Sequence, residues 1–249
     1  LAQTAISQPA IMAVSLCAAE ALRINGITAT AAAGHSLGEY AAMVYTGMVS
    51  RTDGFKLIKA RSLAMQKAAE NSSGAMFAII GSTPADIEKV CAETEGYVVP
   101  VNYNSSVQTV IAGEEAAAQA AADTLAAAGA RAIRLNVAAA FHSKLMQGAA
   151  DEFKPAAEQI SFKTPEITML SNISGTVLDS IDNMPERLAL HIVSPVKFTS
   201  ELAYLSENGY DTFIECGPGK VLTGLVKKTL KGVNAMNVQD ADTLAKVIG

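Results

Sequence analysis

The stretch Gly34-His35-Ser36-Leu37-Gly38-Glu39 constrains this chain more than any other. It fits the pattern G-x-S-x-G, in which a serine stands on a sharp turn between a strand and a helix with its hydroxyl pushed out of the sheet. The context agrees. Thr28 to Ala33 is a short apolar run suited to a buried strand, and Leu37 to Tyr45, rich in Ala, Met and Leu, suits a helix. Both flanking glycines are expected to be required sterically, because a side chain would clash in so tight a bend. A glycine-rich turn with an ordinary capping serine is the alternative, and the strand and helix on either side favour the nucleophile.

The rest of the chain alternates in the same manner. Helices are expected over Thr4 to Ile24 and Thr52 to Glu70, and Asn71-Ser72-Ser73-Gly74 then breaks the pattern. Strand Ala75 to Ile80, helix Pro84 to Thr94, strands Tyr97 to Val101 and Thr109 to Ala112 around a polar turn at Asn102 to Gln108, helix Glu114 to Ala128 and strand Arg131 to Val137 make a βαββαβ unit. This predicts an inserted ferredoxin-like small domain over residues 72–136. It divides a large α/β domain, of the α/β-hydrolase-like kind, into 1–71 and 137–249. The large domain resumes from Ala138 with helices over Lys144 to Gln159, Pro185 to Leu190 and Thr199 to Asn208, and strands over Ile167 to Asn172 and Thr212 to Glu215. After the turn Gly217-Pro218-Gly219-Lys220 a helix runs through Leu230. Such alternation predicts a parallel sheet covered on both faces, with the site at the carboxyl ends of its strands.

Composition narrows the function. Half of the 249 residues are hydrophobic and 17% are charged, enough for a large core. No apolar stretch reads as long enough to cross a bilayer, and no leader pattern stands at the start. Cys17, Cys91 and Cys216 are widely spaced without a C-x-x-C pair, which predicts free thiols and a cytoplasmic protein. A net charge of −5 argues against nucleic acid as a partner.

A serine nucleophile needs a base, and the chain has three histidines. His35 neighbours Ser36 and projects differently, so it is a poor base for it. His191 lies in an apolar helix end, Leu188 to Val193, where a packed histidine is the plainer reading. His142, in Ala139-Ala140-Phe141-His142-Ser143, stands at the domain junction where a cleft forms, and is the favoured base. Arg61 falls on the apolar face marked by Phe55, Ile58 and Met65. Either it snorkels at a helix edge, or it meets an anionic partner such as a substrate carboxylate. No acid stands out to complete a triad, since Asp151 and Glu152 read as a solvated helix face. Gly217-Pro218-Gly219 reads as a plain turn more readily than as an anion site, and the lysines at 220, 227, 228 and 231 read as a solvated face.

Taken together the motifs resemble the acyltransferases of fatty-acid and polyketide synthesis that transfer malonyl groups from coenzyme A to acyl carrier protein. Gln8-Pro9-Ala10, the serine motif, Lys59-Ala60-Arg61-Ser62, Gly74-Ala75-Met76, Val101 to Ser105, Ile111-Ala112-Gly113, Phe141-His142-Ser143, Ser194-Pro195-Val196 and Gly217 to Leu222 carry the likeness. The resemblance implies a ping-pong exchange through a malonyl–Ser36 ester, with His142 as base and Arg61 on the malonyl carboxylate. It implies an oxyanion donor at the Leu37 N–H, and malonyl selectivity from Phe141. Coenzyme A thioesters and acyl carrier protein are then the partners, with no cofactor and no metal.

Two departures stand out. The family opens with a strand and a glutamine-bearing loop that supplies the second oxyanion donor. This sequence has no such segment, so Leu1 is expected to be an internal residue of a longer protein. His191 stands where the family often has glutamine, which leaves the carbonyl that orients His142 somewhere between His191 and Ser194. Two other functions fit the serine. One is an esterase or thioesterase, which has no need of Arg61. The other is a catalytically incomplete module that binds the carrier protein, whose Ser36 takes up no malonyl group.

Overall fold

A computed structural model describes residues 3–137 and 139–249. Leu1, expected to be an internal residue of a longer protein, and Ala138, where the large domain is expected to resume, lie outside them. Helix α1 (Thr4–Ile24) turns Gln8, Met12, Ala18 and Leu22 inward, and packs along α3 (Arg51–Glu70). Ser50 caps α3, its hydroxyl accepting from the Asp53 N–H at 3.0 Å. Among the described residues one helix, α1, is long and apolar enough to cross a bilayer by length and composition, contrary to the expectation that no stretch is. Of its inward residues Gln8 reaches the serine site, bonding Arg61, while Met12 packs in the main core and Ala18 and Leu22 pack against Val238.

Strand β1 (Ala31–Ala32) leads to the serine turn and to α2 (Gly38–Tyr45). The expected six-residue strand shrinks to these two residues, because only they find a partner, in parallel pairing with β6 (Thr168–Ser171). β6 in turn pairs antiparallel with β7 (Thr176–Val177), and β8 (Thr212–Cys216) pairs in parallel with β9 (Asn234–Val238). The expected single parallel sheet is therefore corrected to an α/β fold with mixed sheets: three strands in the order β1-β6-β7, and a separate β8-β9 pair. Among the described residues β1 and β8 each have one ladder partner, and both line a cavity of about 690 Å³ with Leu16, Leu202 and Phe213. Strands β7 and β9 and the last helix (Ala241–Ile248) add to the elements expected from the sequence.

Residues 74 to 134 form the second layer. β2 (Gly74–Ile80), α4 (Pro84–Glu93), β3 (Val98–Ser105), β4 (Gln108–Glu114), α5 (Glu115–Ala127) and β5 (Arg131–Arg134) follow the expected order. Their sheet runs β3-β4-β2-β5 with every neighbouring pair antiparallel. The expected polar turn at Asn102 to Gln108 shrinks to two residues, since β3 continues to Ser105 through register shifts at Pro100/Asn102 and Tyr103/Ser105. One face packs Phe77, Ile79 and Ile111 under the alanines of α5. The other face sets Met76, Val101 and Val110 against Ala140 and Phe141. A Cβ on Gly74 would come within 2.8 Å of that of Ala140, so the glycine lets the sheet lie close to the segment carrying His142. The antiparallel sheet thus roofs the serine turn.

Candidate active site

The turn at Ser36 is held in a strained form. Ser36 has φ of 54°, a left-handed value that costs a non-glycine residue about 1–3 kcal/mol and persists only under outside constraint. A Cβ on Gly34 would lie 2.0 Å from the Gly38 carbonyl carbon, so that glycine is compulsory. Gly38 faces open space, with nothing within 4 Å of a built Cβ. The expectation of a steric need at both glycines is corrected to Gly34 alone, because the chain folds back across the first glycine and away from the second.

His142 also takes a left-handed backbone, φ 60°, on the loop before the short 3-10 turn Lys144–Met146. Its Nδ1 lies 3.1 Å from the carbonyl of His191 and 3.1 Å from that of Ser194. Carbonyls only accept, so Nδ1 carries the hydrogen and Nε2 presents a lone pair. That Nε2 is 2.7 Å from Ser36 Oγ. No carboxylate touches His142 among the described residues; two main-chain carbonyls orient it instead, one at each end of the interval expected from the sequence. Burial, with the Arg61 charge adding to it, lowers the His142 pKa to about 3, so the imidazole is neutral.

Arg61 is 1% exposed. Its Nη1 donates to Gln8 Oε1 at 2.7 Å and its Nη2 to Ser36 Oγ at 3.0 Å, while the guanidinium lies 5.3 Å from the Tyr40 ring centroid. Its Nε has no partner and no carboxylate pairs with it among the described residues. The alternative of a snorkelling arginine is excluded, because the guanidinium is the buried end. With Arg61 donating to Ser36 Oγ, the serine O–H is left to donate to His142 Nε2. The donor and acceptor roles around the hydroxyl are therefore complete, and a permanent cation waits beside it without an anion.

The remaining expected residues fall as follows. Leu37 adjoins the serine, and no acceptor takes up its N–H among the described residues. Phe141 is half-buried between the cores of the two layers. His35 turns away from the serine, bonding Asn104 Oδ1 at 2.7 Å with its ring edge-on to Phe198 at 5.5 Å. His191, on α7 (Met184–Val193), is buried and contributes its carbonyl to His142. At Gly217 to Lys220 the following helix, α9 (Val221–Thr229), has its first amides occupied: Leu222 and Thr223 N–H donate to the Glu215 carboxylate at 3.1 and 2.7 Å. The plain-turn reading accounts for it. Among the described residues no group of three His, Cys, Asp or Glu could hold a metal ion.

Sequence reading missed Gln8 as a site residue and the polar cluster beneath the turn, formed by Glu39, Asn172 and Glu201. Glu39 lay inside the motif itself. A carboxylate in the first turn of a helix reads as a capping charge, and only its burial shows otherwise. Burial raises the Glu39 pKa from 4.5 to about 7, and that of Glu201 well above the usual carboxylate range.

Known proteins are similar to nearly the whole of this chain. The acyl transferase domain family matches residues 1–248. The malonyl CoA-acyl carrier protein transacylase of Escherichia coli K12 is 37% identical over 246 residues, 97% of this chain and 80% of that protein. The crystal structure of the malonyl CoA-acyl carrier protein transacylase of Clostridium perfringens superposes with a TM-score of 0.95 at 36% identity, over 99% of this chain and 78% of that one. A malonyl-transacylase solved in complex with its type II polyketide synthase acyl-carrier protein gives 0.93 at 35% identity, over 99% of this chain and 81% of the other.

Proposed function

The chain belongs to the acyl transferase domain family, and from that premise we propose that it moves a malonyl group from malonyl-CoA to the phosphopantetheine thiol of acyl carrier protein, with Ser36 as nucleophile and His142 as base. Ser36 Oγ attacks the thioester carbonyl while its proton passes to His142 Nε2. The tetrahedral oxyanion is met by the Leu37 N–H, and the coenzyme A sulfur leaves with the proton from His142. The carrier thiol then gives its proton to His142 and attacks the malonyl–Ser36 ester, and Oγ departs reprotonated.

The observation that carries this reading is Arg61, a buried cation with no anion among the described residues, donating to the nucleophile's own oxygen. A malonyl carboxylate replaces the missing anion and accepts the guanidinium fork. Seating it also offsets the Arg61 charge that adds to burial in lowering the His142 pKa, so the base strengthens as substrate docks. Phe141 lines the acyl side, and the His191 and Ser194 carbonyls keep His142 in its working tautomer. The four-stranded layer corresponds to a ferredoxin-like small domain at 72–136 over a hydrolase-like large domain at 1–71 and 137–249. None of these steps calls for a cofactor. The free thiols of Cys17, Cys91 and Cys216 are consistent with a cytoplasmic site of action.

The test is intact mass after brief incubation with malonyl-CoA or acetyl-CoA. A malonyl adduct lost in Ser36→Ala and much reduced in Arg61→Ala supports the transfer. Steady release of coenzyme A without an adduct or thiol acceptor marks a hydrolase and overturns it.

A further inference from the structure

Beneath the serine turn one side chain bonds both Ser36 and the histidine whose carbonyl orients His142. Asn172 follows β6 directly and is fully buried. Its Oδ1 accepts from the Ser36 N–H at 2.8 Å, and its Nδ2 donates to the Gly34 carbonyl at 2.6 Å. The amide thereby spans the turn from one side of His35 to the other, as a partner strand would. An N–H only donates and a carbonyl only accepts, so the two bonds fix which end of the amide is which. Asn172 Oδ1 also lies 3.1 Å from His191 Nε2, which must then carry the hydrogen. The carbonyl of the same His191 orients His142. The asparagine is itself tied down: its N–H donates to Glu39 Oε2 at 3.0 Å, its Nδ2 to Glu201 Oε1 at 2.8 Å, and its carbonyl accepts from the Lys197 N–H at 2.9 Å.

We infer that Asn172 is a positioning residue for acyl transfer: its carboxamide holds the left-handed turn of Ser36 and, through His191, the segment that aims His142, and so sets the separation of nucleophile and base. The inference rests on Ser36 being the nucleophile. Burial keeps Glu39 and Glu201 largely protonated at mildly acid pH, so the amide sits among neutral groups and its bonds are not pulled toward a buried anion.

Asn172→Asp tests it. The replacement keeps size and one acceptor, but removes the donor that reaches the Gly34 carbonyl and Glu201. Three quantities are measured on the folded protein: the rate of Ser36 malonylation from malonyl-CoA, the KM for malonyl-CoA, and labelling by an uncharged fluorophosphonate. The acylation rate is expected to fall about 10²-fold, the loss a misplacement of roughly 1 Å produces, with labelling falling in parallel. KM should stay within roughly threefold because Arg61 is untouched. Lowering the pH should recover part of the rate, since protonating the introduced carboxyl restores a donor. Wild-type acylation and labelling rates in the variant overturn the inference while leaving Ser36 as nucleophile. A malonyl adduct that survives in Ser36→Ala overturns the nucleophile itself. Should Asn172→Asp not fold, His191→Phe decides. It deletes one neutral hydrogen bond to Asn172 while keeping the main-chain carbonyl, and a drop of about fivefold to tenfold in acylation rate is expected. An unchanged rate there overturns the inference.

Discussion

The two layers of this molecule solve opposite problems. In the β3-β4-β2-β5 sheet every strand has extended ladder pairing, and one face is closed by alanine-rich α5 over Phe77, Ile79 and Ile111. Beneath the serine turn, β1 has two residues, and β1 and β8 both border an apolar cavity. Buried there are Arg61, Glu39, Glu201, His142 and His191, and left-handed backbone at Ser36 and His142. The first region is locally consistent at every level, whereas the second holds strain and desolvated charge. Stability concentrated in one layer is what allows the other to keep groups in costly positions.

The sharpest break of this contrast is Gly34→Ala. The added methyl meets main chain at 2.0 Å and has nowhere to go, so no soluble folded protein is expected, read by expression and circular dichroism. Arg61→Met should separate the two properties. Loss of a bidentate, charge-assisted clamp costs malonyl transfer about 10²–10³-fold, while replacing an unpaired buried cation by an apolar chain raises stability by about 1–4 kcal/mol. Turnover and urea midpoints measured on the same sample check both halves. Ile111→Ala in the roofing sheet should behave conversely, lowering stability by about 2–5 kcal/mol with kcat per folded molecule unchanged.

A finer test uses pH. Glu39 is raised in the folded state, so the stability it contributes is present below its unfolded pKa of 4.5 and is lost as pH rises through about 7. Glu39→Gln, which keeps an acceptor for the Asn172 N–H, should match the wild type near pH 4.5. Above pH 7 it should be the more stable by on the order of 3 kcal/mol, measured as the difference in urea midpoints across pH. His142 and His191 are lowered, so their effect runs the other way, with stability lost on acidification below the ordinary histidine value. That slope is common to both proteins and cancels in the difference. The smallest effect belongs to Gly38→Ala, at the open first position of α2, where a gain of about 0.4–1 kcal/mol is expected from reduced freedom of the unfolded chain. Thermal midpoints compared with those of wild type read it, and a large loss would mean the serine turn is tighter than its geometry.

Much of this was legible in the chain. The serine turn announces itself through a glycine forced by close approach, and the roofing layer through apolar alternation and turn residues. Arg61 shows itself by falling on an apolar helical face. These signals are local: each records what a residue needs from neighbours within a turn or a strand. Other features were invisible for the converse reason. The strand at Thr28 to Ala33 is shorter than its composition suggests because ladder length depends on partners far along the chain. The motif by itself makes both glycines look sterically required, because it does not say which one the backbone crosses. Asn172 lies 136 residues from the serine it clasps, and Gln8 lies 53 from the arginine it holds, distances across which one sequence carries no trace of a hydrogen bond.

The amino-acid sequence by itself determined the alternation of elements and marked Ser36, His142 and Arg61 as the candidates for the site. Periodicity, glycine placement and scarcity of histidine are properties of the chain alone. Only the tertiary structure decided that Arg61 has no anion among the described residues, that two carbonyls orient His142, and that Asn172 bonds both the turn and His191. Burial and the pairing of donors with acceptors exist only once distant segments meet, and they set charge state, tautomer and strain together.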